Sequence, residues 1–371
     1  MRRKLLVETL ENRSMLAGNV TASVSGADLI ITGDALGNTI TVESAGAGIV
    51  QVRGFENTSV NGTANGLKTF NVSGSINIRL NAGDDTVRVT NLVIQNNLLV
   101  DLGAGNNTAL LGQSTAADNA RFAGTPSGGL FIQGDQSVVG GTLADRVFQS
   151  NLHVAGAGTL SLGDGNDNVT LDRPTGSGAN VEYGGVFSIL PGAGTDGVSI
   201  TGLVVDDNLV INDSSNATSV TINSMDVQGS LFFTSANFSD DVTITNTNVR
   251  NTLSIVSQAG YDTINVSAIA GRLDLNSGLG NDDVHISQSN IGVISAVLGG
   301  GHDELDLLSN TTNRIFAFGG DGDDLFLVRN TRAIDAVFNG EGGTDTYQDT
   351  ALLPNSISNL DLISIERRQR T

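Results

Sequence analysis

The segment from Ser277 to Tyr347 contains Gly278-Leu279-Gly280-Asn281-Asp282-Asp283-Val284, then Gly299-Gly300-Gly301-His302-Asp303-Glu304-Leu305. Gly320-Asp321-Gly322-Asp323-Asp324-Leu325-Phe326 follows, and last Glu341-Gly342-Gly343-Thr344-Asp345-Thr346-Tyr347. The aspartates at 282, 303, 324 and 345 recur every 21 residues. Each copy reads Gly-x-Gly-x-Asp-x-apolar, with Glu341 in place of the first glycine in the last copy. A fixed period of this size marks a stacked repeat with one supersecondary unit per copy.

Upstream, the same unit recurs as Asn81-Ala82-Gly83-Asp84-Asp85 and Gly103-Ala104-Gly105-Asn106-Asn107. It returns as Gly163-Asp164-Gly165-Asn166-Asp167 and Gly192-Ala193-Gly194-Thr195-Asp196, and it decays in Ser214-Ser215-Asn216-Ala217-Thr218. The residue closing each unit defines a register column: Val87, Ala109, Val147, Val169, Val198, Val220, Val242, Ile264, Val284, Leu305, Phe326 and Tyr347. Most steps are 20 to 22 residues, but 109 to 147 is 38 and 169 to 198 is 29. Pro126 and Pro174 fall inside those long steps, which read as loops leaving the stack. The first also has room for one degenerate turn.

Within a unit, apolar residues alternate with polar ones, as in Leu273-Asp274-Leu275 and Val284-His285-Ile286, so one side of each strand is buried. Three such stretches per turn imply an all-β, single-stranded parallel β-helix with a roughly triangular section. Neighbouring turns are expected about 4.8 Å apart, and roughly fifteen turns would make a rod of about 70 Å. The division expected is residues 1–19 as an export-like or capping segment, 20–347 as the β-helix, and 348–371 as a C-terminal cap with a basic tail. Asn248, Asn290, Asn310 and Asn330 read as a second column, an asparagine ladder inside a turn.

Composition narrows the function. The 371 residues carry a net charge of −20, 47 glycines, four prolines, no cysteine and no tryptophan. Such acidity disfavours nucleic acid and anionic membranes and favours cations or cationic partners. Without cysteine, disulfides and thiolate chemistry are excluded. No run of 18 apolar residues exists, so no transmembrane helix is expected. His153, His285 and His302 do not cluster in sequence, and His285 is expected to point outward.

Two resemblances add to this. Leu10, Glu11, Arg13, Met15, Leu16 and Ala17 resemble the N-terminal Leu-Glu-x-Arg-x-Leu-Leu-Ala motif of planctomycete surface and extracellular proteins. That resemblance implies an extracellular or cell-surface protein. The repeat resembles the hemolysin-type (RTX) calcium-binding nonapeptide, whose full form occurs once, at Gly319–Leu327. It implies calcium as cofactor, with Asp282, Asp303, Asp321, Asp324 and Asp345 as ligands. In that family the motif runs in tandem, whereas here it comes once per turn and equips one edge. Aspartate and asparagine are also ordinary turn formers, and that reading stands beside the metal.

The function expected is a non-enzymatic, secreted or cell-surface repeat protein, adhesive or envelope-structural, with calcium-stabilised turns and a surface polysaccharide or protein partner. The alternative is a polysaccharide lyase or glycoside hydrolase on the same scaffold. Its candidate residues are Asp172, Arg173, Glu182 and Tyr183 in the 169–198 insertion.

Overall fold

The structure is a computed structural model that describes residues 18–112, 122, 128–173, 181–213, 216–350 and 355–370. Pro126, Pro174 and the Leu10–Ala17 motif lie outside the described residues. The described chain is all-β, a parallel solenoid of about 12 turns. The fifteen turns expected from spacing are therefore too many, and the same rise gives a rod of about 55–60 Å.

Every member of the predicted column occupies one register. Val87 pairs with Ala109, Ala109 with Val147, Val147 with Val169, and Val169 with Val198. The series continues through Val220, Val242, Ile264, Val284, Leu305, Phe326 and Tyr347. Because Ala109 pairs directly with Val147, the 38-residue step hides no degenerate turn. It is an insertion whose Phe122 packs on Leu110, Phe148 and Phe55 outside the barrel. Under it lies Arg88, fully buried, with its guanidinium 4.7 Å from the Phe122 ring centre.

Each turn contributes to three faces. The first follows the aspartate (Thr86–Thr90, Thr108–Gly112, Arg146–Ser150), and the second holds three-residue strands (Leu92–Ile94, Leu130–Ile132, Leu152–Val154). The third leads back to the next aspartate (Ile76–Arg79, Leu98–Asp101, Gln136–Val139). Inward Val, Leu and Ile from all three faces fill one continuous core. β-Branched and aliphatic residues suit these pleated, half-buried positions. Toward the C-terminus, faces two and three merge into single bent strands such as Asn290–Gly300 and Thr311–Asp321.

The corner between faces one and two is a single left-handed residue. Asn91, Asn151, Asn246, Ser309 and Asn330 take φ of 50°, 52°, 49°, 58° and 49° there. Asparagine tolerates this conformation better than most residues. The asparagine column predicted from sequence does not hold. Asn248 and Asn290 sit on a strand register, Asn330 is a left-handed corner residue, and Asn310 belongs to a buried ladder next to it. There the Ser289 N–H donates to Asn310 Oδ1 (3.0 Å) and the Thr331 N–H to Asn355 Oδ1 (3.0 Å). Spacings of 20 residues in a 21-residue repeat slip one position per turn, which is why the sequence count misled.

The N-terminal end departs from a pure parallel stack. Strand β1 (Asn19–Ser25) pairs antiparallel with β2 (Asp28–Thr32), and β2 continues face three in parallel. Strand β3 (Thr39–Gly46) continues face one, then turns back antiparallel into β4 (Ile49–Phe55). At the other end, Ser356–Ile363 and Arg367–Arg370 extend the stack in register. Arg368 follows Tyr347 in the column, its guanidinium 5.9 Å from the Tyr347 ring centre. Among the described residues no helix is long and apolar enough to cross a membrane.

Candidate functional site

The repeated aspartate, replaced by Asn107 and Thr218 in two turns, stands two residues before the column residue, at the corner between faces three and one. Two glycines before it have positive φ, for example 109° at Gly299 and 151° at Gly301. They also need to be small. A Cβ on Gly301 would lie 1.6 Å from the carbonyl oxygen of Gly280 in the preceding turn. Close approach and backbone conformation both demand glycine here.

This turn brings the aspartates into one buried ladder. The backbone N–H of Asp282 donates to Asp303 Oδ1 (2.8 Å), that of Asp303 to Asp324 (3.0 Å), and that of Asp324 to Asp345 (2.9 Å). Asp345 in turn donates to Glu366 Oε2 at 2.7 Å. Upstream, Asn38, Asp85, Asn107, Asp145, Asp167 and Asp196 are linked identically, over 2.6–3.1 Å. Thr218, where the motif has decayed, keeps its N–H on Asp240 Oδ1, while Asp213 reaches across to its hydroxyl.

A second ladder runs beside the first in the opposite sense, through the exposed residue just before each aspartate. The His302 N–H donates to Asn281 Oδ1 (2.8 Å), the Asp323 N–H to His302 Nδ1 (2.9 Å), and the Thr344 N–H to Asp323 Oδ1 (2.9 Å). The corners at Asp303, Asp324 and Asp345 therefore bond their backbone forward through the inner side chain and backward through the outer one. The arrangement satisfies backbone groups that would otherwise be left unpaired as the chain leaves face three.

The inner carboxylates are unusual acids. Oδ2 of Asp85, Asp167, Asp196, Asp262, Asp282, Asp303, Asp324 and Asp345 is buried with no hydrogen-bond partner. Burial pushes Asp85, Asp167, Asp262 and Asp303 up to about 7 and Asp324 up to about 6, against the downward pull of the donated N–H. Ser257 and Ser277, beside Asp262 and Asp282, pull downward, after burial and the donated N–H, but their hydroxyls donate to carbonyls of the next turn. A column of this kind has two ways to balance its charge: hold protons on Oδ2 or attract a cation.

Four of the five predicted ligands, Asp282, Asp303, Asp324 and Asp345, share this edge. Asp321 does not. It is exposed, three residues upstream, and pairs across the glycine segment with Gly300 and Gly342. Among the described residues, no three His, Asp, Glu or Cys side chains converge as a metal-binding group. One oxygen of each inner carboxylate is already engaged by an N–H, and calcium takes six to eight oxygens. Sequence reading missed Asp145 and Asp240 as ladder members. The column supplied the signal, since each lies two residues before Val147 or Val242.

The residues of the alternative site are dispersed. Tyr183 is inside the core, stacked on Phe187 at 3.9 Å, its hydroxyl 2.6 Å from both Gln136 and Gln149. Glu182 points outward and pairs with His153 at 3.0 Å, while Asp172 and Arg173 are exposed beyond the strand Asn168–Leu171. His285 is outward as expected, with Nε2 3.0 Å from Asp283 and Nδ1 3.5 Å from Asp306.

A family model described as "Planctomycete extracellular" matches residues 1–20. This short match points to an extracellular protein. No curated protein and no solved structure matches the chain.

Proposed function

We propose that the chain is a non-catalytic extracellular rod, adhesive or envelope-structural, whose aspartates serve chiefly to lock one turn onto the next. The ladder carries this reading. From Asp85 to Asp345 each recurring carboxylate spends one oxygen on the preceding turn's backbone, with Asn107 standing in once and a break at Thr218, so the motif is accounted for as a device that builds length. The N-terminal match to extracellular proteins supports the location. The test is immunogold labelling and surface proteolysis of intact producing cells with an antibody to the rod. Surface or secreted antigen supports the proposal, and antigen confined to the cytoplasm contradicts it.

One observation favours a second element, calcium uptake along the same edge: the buried Oδ2 atoms are left without partners. A cation between stacked carboxylates would turn their mutual repulsion into attraction. If calcium binds only the folded chain, a hundredfold excess over Kd adds about 2.7 kcal/mol. Melting in calcium and in EDTA tests it. Equal transitions would leave the ladder as a purely structural device.

A further inference from the structure

The N-terminal hairpins cover two of the three faces. Face three is extended by β2 and β1, and face one by β3 and β4. Among the described residues face two receives no such cover, because β3 runs on past the corner where later turns bend into it. Its first strand, Leu92–Ile94, pairs with Leu130–Ile132 on one side, and among the described residues no strand pairs with the other.

The free edge has identifiable groups. The Leu92 N–H donates to the Gly129 carbonyl (3.2 Å), and the Ile94 carbonyl accepts the Gln133 N–H (3.0 Å). In a parallel ladder, alternate residues turn both backbone groups to the same neighbour. Val93 therefore aims its N–H and C=O away from that neighbour, toward the open edge. An unpaired strand edge is a template for another strand.

A groove of about 850 Å³ lies at this edge, between the β3–β4 hairpin tip and the second face. Ile49, Val93 and Phe131 line it with exposed apolar surface, and Asn91, Gln95 and Ser73 supply neutral polar groups. Among the described residues no charged one lines it, although the chain carries a net charge of −20. An acidic ligand would meet the repulsion of the whole chain, and a basic one would find no carboxylate inside the groove.

We infer that this groove binds an extended, uncharged peptide segment, which adds as a strand to Val93 and lays alternate apolar side chains against Ile49 and Phe131. Backbone pairing would supply affinity and the apolar floor selectivity, as in other strand-addition sites. The inference rests on the fold alone, independent of cellular location and of calcium.

The test uses the full chain and a labelled peptide, Gly-Leu-Phe-Ile-Gln between soluble flanks, repeating residues 129–133 that already pair with the other edge. Fluorescence anisotropy should saturate with the plain peptide. It should weaken at least about tenfold, or about 1.4 kcal/mol, for the same peptide N-methylated at alternate residues. Val93→Pro, which removes the edge N–H, and Phe131→Ser, which removes the floor, should each weaken binding by a similar factor. Val93→Thr keeps the backbone groups and should stay within about threefold of the native chain. Circular dichroism verifies that each variant is folded, and Phe131→Ser carries the test alone if Val93→Pro is not. The inference is overturned if the plain peptide does not bind at about 1 mM or if the N-methylated peptide binds equally well. Displacement of the peptide by a neutral trisaccharide that binds Val93→Pro undiminished would also overturn it.

Discussion

Asp303 accepts the backbone N–H of Asp282 at 2.8 Å, and donates its own N–H to Asp324 at 3.0 Å. One residue thus ties three successive turns, with its side chain facing back and its backbone facing forward. Repeated along the corner, this relationship fixes the register of the solenoid independently of the apolar core. A one-residue slip would break every rung of the ladder at once.

The first prediction separates acceptor from charge. Asp303→Asn keeps an oxygen for the Asp282 N–H, as Asn107 does for Asp85, and removes the buried charge. It should leave stability unchanged or raised at pH 8. Asp303→Ala leaves that N–H unpaired and should cost about 1–3 kcal/mol. Urea denaturation of the two variants measures the difference.

The second concerns pH, in metal-free buffer. The folded pKa of Asp85, Asp167, Asp262 and Asp303 is raised to about 7 and that of Asp324 to about 6, from a value of 3.8 for the free side chain. The folded state therefore binds protons more tightly than the unfolded chain. The resulting stability is complete below about pH 4 and is lost as pH rises through 6 to 7. Melting temperature should be lower at pH 8.5 than at pH 5 by roughly 5 °C or more. An equal or higher value at pH 8.5 would refute the protonated ladder.

A third prediction tests the turn glycines. Gly301→Ala combines a φ of 151° with a Cβ 1.6 Å from the Gly280 oxygen, and should cost about 3 kcal/mol. Its neighbour Gly300 has no such φ, and its Cβ would meet only Leu279 Cδ2 at 3.1 Å. Gly300→Ala should therefore cost under about 1 kcal/mol. Similar losses for both would mean that the turn geometry is wrong.

The fourth addresses the cluster outside the barrel. Phe122 packs edge-on against Phe55 at 5.2 Å and covers the buried Arg88 guanidinium. Phe122→Ala removes both contacts and should cost about 3 kcal/mol. Thermal unfolding checks this, and a loss below about 0.5 kcal/mol would indicate that the insertion contributes little to stability.

Much of the fold was legible because the period is rigid. Once Asp282, Asp303, Asp324 and Asp345 recur at one spacing, stacking follows, and the whole column from Val87 to Tyr347 falls into register. The antiparallel start was not legible. Strands β1 to β4 carry the same alternation as parallel ones, and alternation reports burial, not direction. The four late aspartates were found by motif, whereas Asp145, with Leu143 at the second glycine position, and Asp240, with neither glycine, were found by structure. Asp321 looked equivalent to Asp324 because both are acids in one nonapeptide. Three residues of chain separate them, enough to carry one into the buried corner and leave the other in solvent.

The most direct test of the account is amide hydrogen exchange in Asp303→Ala, read residue by residue. The ladder predicts that the Asp282 amide, one turn upstream, exchanges at least about tenfold faster, a loss of about 1.4 kcal/mol of protection. The amide of residue 303 itself should stay protected, because its acceptor is Asp324. An Asp282 amide that exchanges as slowly as in the native chain would contradict the ladder.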